Sequence, residues 1–213
     1  MAERRVEPEW LDELPADDPR AVRSRKELRW INWLMGNERW ILQQLSRPNM
    51  PLQQGIIELG AGQGDLCRAM HRRFPKSPVT GLDLQSRPKD LPTCVEWIAG
   101  NGKNIAPRPC GVLVMNLFLH HFTDEQLSWW REWVELADVV VMNEPLRRKS
   151  SHGWGRLLWP LLHDVTRHDM HVSIDAGFVR GEWAALWPEL RQTWQIEEWE
   201  QWPGAFRSVW RRK

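Results

Sequence analysis

The sequence predicts an α/β fold: a doubly wound, mostly parallel sheet covered by helices on both faces and closed by a C-terminal antiparallel hairpin. Three observations carry this reading. Short β-branched runs alternate with helical segments between Gly55 and Met142. Those runs are apolar almost throughout, as strands covered on both faces must be. The tail holds two stretches of alternating character around Pro203-Gly204, which is a hairpin pattern.

The elements follow in order. Residues 1–20 are acidic and proline-rich, and are expected to form a loosely ordered arm. From Arg25, the residues Leu28, Ile31, Leu34, Met35, Ile41, Leu42 and Leu45 recur at helical spacing. Gly36-Asn37 divides this stretch into two helices, and Pro48 and Pro51 close it. Strands are expected at 55–59, 79–84, 94–99, 111–115 and 139–142, with a helix at 65–74 ended by Pro75. Thr123 is a good N-cap for a helix at 124–136 that carries Asp124 and Glu125 in its first turn.

Composition narrows the function. A chain of 213 residues with 42% hydrophobic content builds one sizeable core, and nothing repeats. The net charge of +1 offers no global field for nucleic acid or anionic membrane. Cys67, Cys94 and Cys110 form no CxxC pair, so neither a disulfide framework nor a thiolate zinc site is indicated, and a reducing, cytoplasmic setting is expected. No secretory leader is read in the first residues, and the apolar run 110–122 is too short to span a bilayer. The 16 tryptophans and complete lack of tyrosine exclude phenol chemistry from the protein.

The strongest chemical signal is Glu58-Leu59-Gly60-Ala61-Gly62-Gln63-Gly64-Asp65, a glycine-rich turn between a strand and a helix. Such a turn lets a ligand touch the backbone at a helix N-terminus. Asp65 stands where a dinucleotide fingerprint has its third glycine, and its charge would repel a pyrophosphate. Asp83 follows Gly64 by 19 residues and ends the second strand, where a carboxylate can accept both hydroxyl protons of a ribose. Together these point to a nucleoside ligand without a pyrophosphate.

The motif ELGAGQGD followed by GLDL resembles the class I S-adenosylmethionine-dependent methyltransferases, and the likeness extends from about Arg25 through the terminal hairpin. It implies a Rossmann-like sheet with an N-terminal helical lid: residues 1–50 as arm and lid, 51–213 as the methyltransferase domain. It also implies S-adenosyl-L-methionine as cofactor, held by Glu58, Gly60, Ala61, Gly62, Gly64, Asp83 and Leu84, with Asn101 near the adenine. Asn116 and Leu117 after the fourth strand, and Arg29 toward the methionine carboxylate, complete that set. The segments LRWINW, LHHF, VMNE and His168-Asp169 resemble a subgroup acting on polyketide- or quinone-like small molecules. Two departures stand out: Gly100-Asn101 replaces the usual acid after the third strand, and Gly111 replaces an aspartate at the start of the fourth.

The acceptor side is expected at the carboxyl edge after strands four and five. His121 and His168 are the candidate bases, with His120, Asp169 and Asn143 at the substrate; no metal is assigned to the His163–His171 stretch. Tryptophans 30, 33 and 40 either wall the acceptor pocket or pack in the core. The absence of an Asn-Pro-Pro-aromatic loop after strand four argues against a base-modifying enzyme. The expected activity is methyl transfer to a small, largely apolar acceptor, at oxygen. Two alternatives stand beside it: a non-catalytic cofactor-binding accessory protein, motivated by the two departures, and an RNA methyltransferase binding phosphate through Arg147, Arg148, Lys149 and Arg156.

Overall fold

The computed structural model describes residues 3–15 and 17–213; residues 1, 2 and 16 of the expected arm lie outside them. In chain order the elements are α1 (Trp10–Glu13), α2 (Pro19–Leu34), α3 (Asn37–Leu45), β1 (Ile56–Leu59), α4 (Asp65–Arg73), β2 (Val79–Asp83), β3 (Glu96–Ala99) and β4 (Cys110–Asn116). There follow α5 (Asp124–Leu127), α6 (Arg131–Leu136), β5 (Ala137–Pro145), α7 (Lys149–Leu158), α8 (Asp164–Asp175), α9 (Glu182–Leu186), α10 (Leu190–Thr193), β6 (Trp194–Gln201) and β7 (Ala205–Arg212).

The seven strands lie in the order β3-β2-β1-β4-β5-β7-β6. The first five run parallel, β7 pairs antiparallel with β5, and β6 forms the outer edge antiparallel to β7. The chain moves outward from β1 to β3 and returns to β4 on the other side of β1. That reversal opens a crevice beyond the carboxyl ends of β1 and β4, where open α/β sheets bind ligands.

Alternation in β4 shows how the sheet is covered. Val112 and Val114 face a core layer with Ile41, Leu45, Ile56 and Met70, whereas Leu113 and Met115 face Trp133, Trp183 and Trp210. Much of the tryptophan surplus is explained there: residues 130, 133, 183, 187, 194 and 210 fill this second layer. The Trp210 indole N–H donates to Ser208 Oγ at 2.8 Å, so its one polar group is satisfied in the core.

The expected elements form with four differences. The helix foreseen at 124–136 breaks into α5, a 3-10 turn and α6. Thr123 and Gln126 close a capping box, and Ser128 Oγ donates to Glu125 O, competing with the regular ladder. β5 runs longer than 139–142 because β7 pairs with it from Val139 to Pro145. Helices α7 to α10 were not foreseen; α7 carries Gly153 and Gly155, and α8 is rich in β-branched and short polar residues, all weak helix formers. Finally, the described part of the arm is docked rather than loose. Arg4 donates to Asp124 Oδ1 at 2.9 Å, to Ala176 O at 3.0 Å and to Phe122 O, while lying over the Phe178 ring.

Candidate functional site

The glycine turn is built for approach. Gly60 (φ +69°), Gly62 (φ +52°) and Gly64 (φ +71°) all take the left-handed conformation that disfavours side chains. The N–H groups of Gly60 and Ala61 both donate to Leu82 O, pinning the turn to β2. A Cβ on Gly60 would overlap the Phe118 ring, whereas a Cβ on Gly62 would meet nothing within 4 Å. The turn is therefore packed at its base and open at its tip.

Asp83 sits at that tip. One oxygen accepts from Gly62 N at 2.7 Å and the other from Gln85 N at 2.9 Å. A carboxylate has about four lone-pair directions, so two remain for ligand hydroxyls. Leu84 beside it is exposed. Glu58 is buried and accepts from the Cys67 thiol at 2.9 Å; burial pushes its carboxyl up to about 8. Asp65 is engaged by Arg68, which also reaches Asp90. Asn101 is exposed, and its side-chain oxygen accepts from Lys103 N at 3.1 Å. Gly111 has a packing reason: a Cβ there would overlap the Pro51 carbonyl.

A second group assembles across the crevice. Glu144, fully buried at the end of β5, accepts from Phe118 N at 3.0 Å, Leu119 N at 2.9 Å and the His120 ring at 2.8 Å. Leu117 (φ +54°) turns the chain into position, and its N–H donates to Asn143 O. His120 Nε2 lies 3.5 Å from Glu9 Oε1, so the ring stands between two carboxylates. Burial opposes charge on His120, yet Glu144 and Glu9 prevail and lift it to about 9. Glu9 is correspondingly held near 2: burial alone would raise it, but His120, His121 and Ser173 hold the charged form. The crowded cleft and the neighbouring His120 push His121 down to about 4.

The arm completes this side. The N–H groups of Trp10 and Leu11 donate to Asp169 at 2.8 and 3.1 Å, and the Trp10 ring stacks on His168 at 3.9 Å. His168 Nδ1 lies 3.0 Å from Asp169 Oδ1. With the proton on Nδ1, this pair leaves Nε2 as the acceptor nitrogen. Asp12 Oδ2 lies 3.9 Å from His121 Nδ1. Burial first, then the charges of Glu9, Asp169 and Asp83, raise Asp12 to about 6. The glycine turn follows β1 and the histidines follow β4, neighbouring parallel strands, so both lie at the carboxyl edge of the sheet.

The other expected residues fall elsewhere. Asn143 is buried; its amide donates to Asn116 Oδ1 at 2.9 Å and accepts from Arg207 Nε at 3.1 Å, so in this structure it orients Asn116. Arg29 lies on the exposed face of α2. Trp33 is 69% exposed and Trp30 is 40% exposed, so neither packs in the core; Trp40 is half-buried against Trp199 and Arg207. The basic stretch foreseen for phosphate is divided: Arg147 is buried on Glu182 and Arg148 pairs with Glu200. Sequence reasoning missed Glu9, Trp10, Asp12 and the role of Glu144. The available signal was the Glu9-Trp10-Leu11 run, a large apolar pair inside an otherwise acidic arm.

Comparison with known proteins adds a fold-level result. No family model matches the chain. No curated protein matches it either. Among solved structures, the plantazolicin methyltransferase BamL, in complex with a triazolic desmethylPZN analog and SAH, superposes with a TM-score of 0.74 at 13% identity, covering 92% of both chains. The plantazolicin methyltransferase BpumL, in complex with the same analog and SAH, gives 0.72 at 13% identity over 92% of both chains. The methyltransferase domain of bacterial CtHen1-C gives 0.63 at 13% identity over 85% of this chain and 99% of that one. The chain shares the Rossmann-like fold of these proteins.

Proposed function

We propose that this protein is an S-adenosylmethionine-dependent methyltransferase acting on a small, largely apolar acceptor, with the methyl group delivered to oxygen. One observation carries the reading: Asp83 is locked by Gly62 N–H at the open tip of the glycine turn, in the crevice of a fold whose solved neighbours hold SAH or SAM. The residues present fit that cofactor. Asp83 would hold the ribose hydroxyls, and Gly60, Ala61, Gly62 and Gly64 would lie along the amino-acid part, with Asn116 and Leu117 at the crevice wall. Glu58, through Cys67, would set the turn onto α4. Arg29 and Asn101 remain the candidates for the carboxylate and adenine ends.

When bound, the cofactor supplies a methyl group already activated on a sulfonium, so alignment of the acceptor governs much of the rate. The chain's own groups divide the remaining work. His168 Nε2 takes the acceptor's hydroxyl proton, with Asp169 fixing the ring. His120, charged between Glu144 and Glu9, holds the wall of the acceptor site; His121, neutral at pH 7, borders it. The docked arm covers one face of the His168 ring with Trp10 and so helps fix it in place.

Calorimetry with S-adenosylhomocysteine tests the cofactor assignment. The wild type should bind and Asp83→Ala should lose about tenfold or more, the equivalent of one hydrogen bond to a charged group. Absence of binding, or an affinity untouched by Asp83→Ala, removes the assignment. The RNA reading loses support from the engagement of Arg147 and Arg148.

A further inference from the structure

Large apolar side chains reach solvent in a strip made of two stretches that meet at Trp30 and Leu161. On α2 these are Trp30, Trp33 and Leu34; on α7 and the turn after it they are Trp154, Leu157, Trp159 and Leu161. Leu157 and Leu161 are 66% and 65% exposed. The two stretches meet in a groove of about 300 Å³ lined by Lys26, Glu27, Trp30, Leu161 and Leu162. Trp202 of the terminal hairpin packs edge-on against Trp154 and extends the strip. Two residues before Leu161, Trp159 shares a depression with Arg167, His168 and His171. The strip therefore reaches the residue assigned above as the base.

Its unpaired charges, among the described residues, are of one sign. Lys26, Lys149 and Arg156 are exposed among these residues, and none makes an ion pair with another described residue. The acid in the groove, Glu27, is already taken by Arg23 and by His163 N–H. A second copy laid on the same strip would set cation beside cation with no free carboxylate to answer it. Anionic headgroups would answer it. An indole places an apolar body and one N–H donor at the boundary between hydrocarbon and headgroup, where tryptophan is enriched. No helix is long and apolar enough to cross a membrane, so the contact would be peripheral.

We infer that the α2–α7 strip is a docking surface for an anionic lipid bilayer, placing the depression beside His168 at the membrane face. The acceptor is then a membrane-partitioned apolar molecule; that last step rests on the methyltransferase reading, whereas docking itself does not.

The test is flotation of the full chain with vesicles of phosphatidylcholine alone and with added phosphatidylglycerol. The wild type should float with the anionic vesicles, do so less in high salt, and stay behind with the neutral ones. Leu157→Ser with Leu161→Ser should lower the bound fraction about tenfold, from the lost apolar burial, while S-adenosylhomocysteine binding by calorimetry is kept. Trp33→Ser should act in the same direction. A wild type that stays unbound with both vesicle types overturns the inference, as does a double variant that floats like the wild type. So does a dimer in equilibrium sedimentation that the double variant dissociates, because a second copy then covers the strip. Failed flotation with cofactor binding intact sinks docking alone; flotation without cofactor binding sinks the methyltransferase reading alone.

Discussion

Neighbouring glycines of one turn make opposite demands. At Gly60 an added methyl meets the Phe118 ring, and at Gly62 it meets open space. Gly60→Ala should therefore lower stability by about 2–3 kcal/mol, from backbone strain plus overpacking, seen as a lower denaturant midpoint. Gly62→Ala should lower it by only about 1–2 kcal/mol, the left-handed backbone term alone. Its larger effect should be on S-adenosylhomocysteine affinity, because the methyl enters the side from which the ligand comes. Equal effects of the two variants on both readouts would contradict this geometry. His120 makes a separate prediction. Its pKa is lifted from 6.5 to about 9 in the folded protein, so its stabilisation is complete below pH 6.5 and fades as pH rises through 9. Glu144→Gln should destabilise the fold by about 3 kcal/mol near pH 6.5, and the gap to wild type should narrow toward pH 9 in parallel denaturant titrations.

The arm is the element whose behaviour is least expected from its composition. Its grip comes from Arg4 at one end and from Asp169, which accepts two of its N–H groups, at the other. Asp12 is raised to about 6 in the docked state and His120 to about 9. His120 holds its proton more tightly with Glu9 beside it, whereas His121, pushed down to about 4, acts in the opposite sense below pH 6.5, so docking should weaken as pH climbs from 6.5 to 9. Hydrogen exchange at residues 8–14, corrected for the intrinsic rate, should show stronger protection at the lower pH. Arg4→Ala should cost about 1–3 kcal/mol of docking by removing charge-assisted bonds and should raise exchange there at every pH. The His168–Asp169 pair is tested kinetically. With a suitable acceptor, His168→Ala should slow single-turnover methylation by about 10²–10⁴-fold, while Asp169→Asn should shift the rate's pH profile.

For the whole molecule, Trp183 is the sharpest probe of the core. It is fully buried among Phe178, Trp187 and Trp210, and Trp183→Ala should cost about 3–5 kcal/mol in denaturant unfolding. The parallel strands, the glycine turn and Asp83 were legible in the sequence because each is a local pattern: an apolar run, a cluster of glycines, a fixed spacing between them. The histidine cluster beside the arm was legible only in part. His120, His168 and Asp169 could be named from their neighbours in the chain, but Glu9, Asp12 and Glu144 matter through docking. Trp10 N–H meets Asp169 across 159 positions, and the His120 ring meets Glu144 across 24. No periodicity reports such a meeting. Helices α7 and α8 were hidden for another reason, since weak helix formers are held there by packing on each other and on α2 rather than by propensity.

The way the sheet stops has a bearing on life at high concentration. A terminal strand offers a row of unused amide and carbonyl groups to any extended chain that drifts near. Here that row belongs to β6, which carries Glu197, Glu198 and Glu200, while β3 at the far side is four residues long and opens on Glu96. Carboxylates on one flank and brevity on the other discourage copies from stacking into ribbons, leaving the helical exterior as the route by which the molecule meets its surroundings.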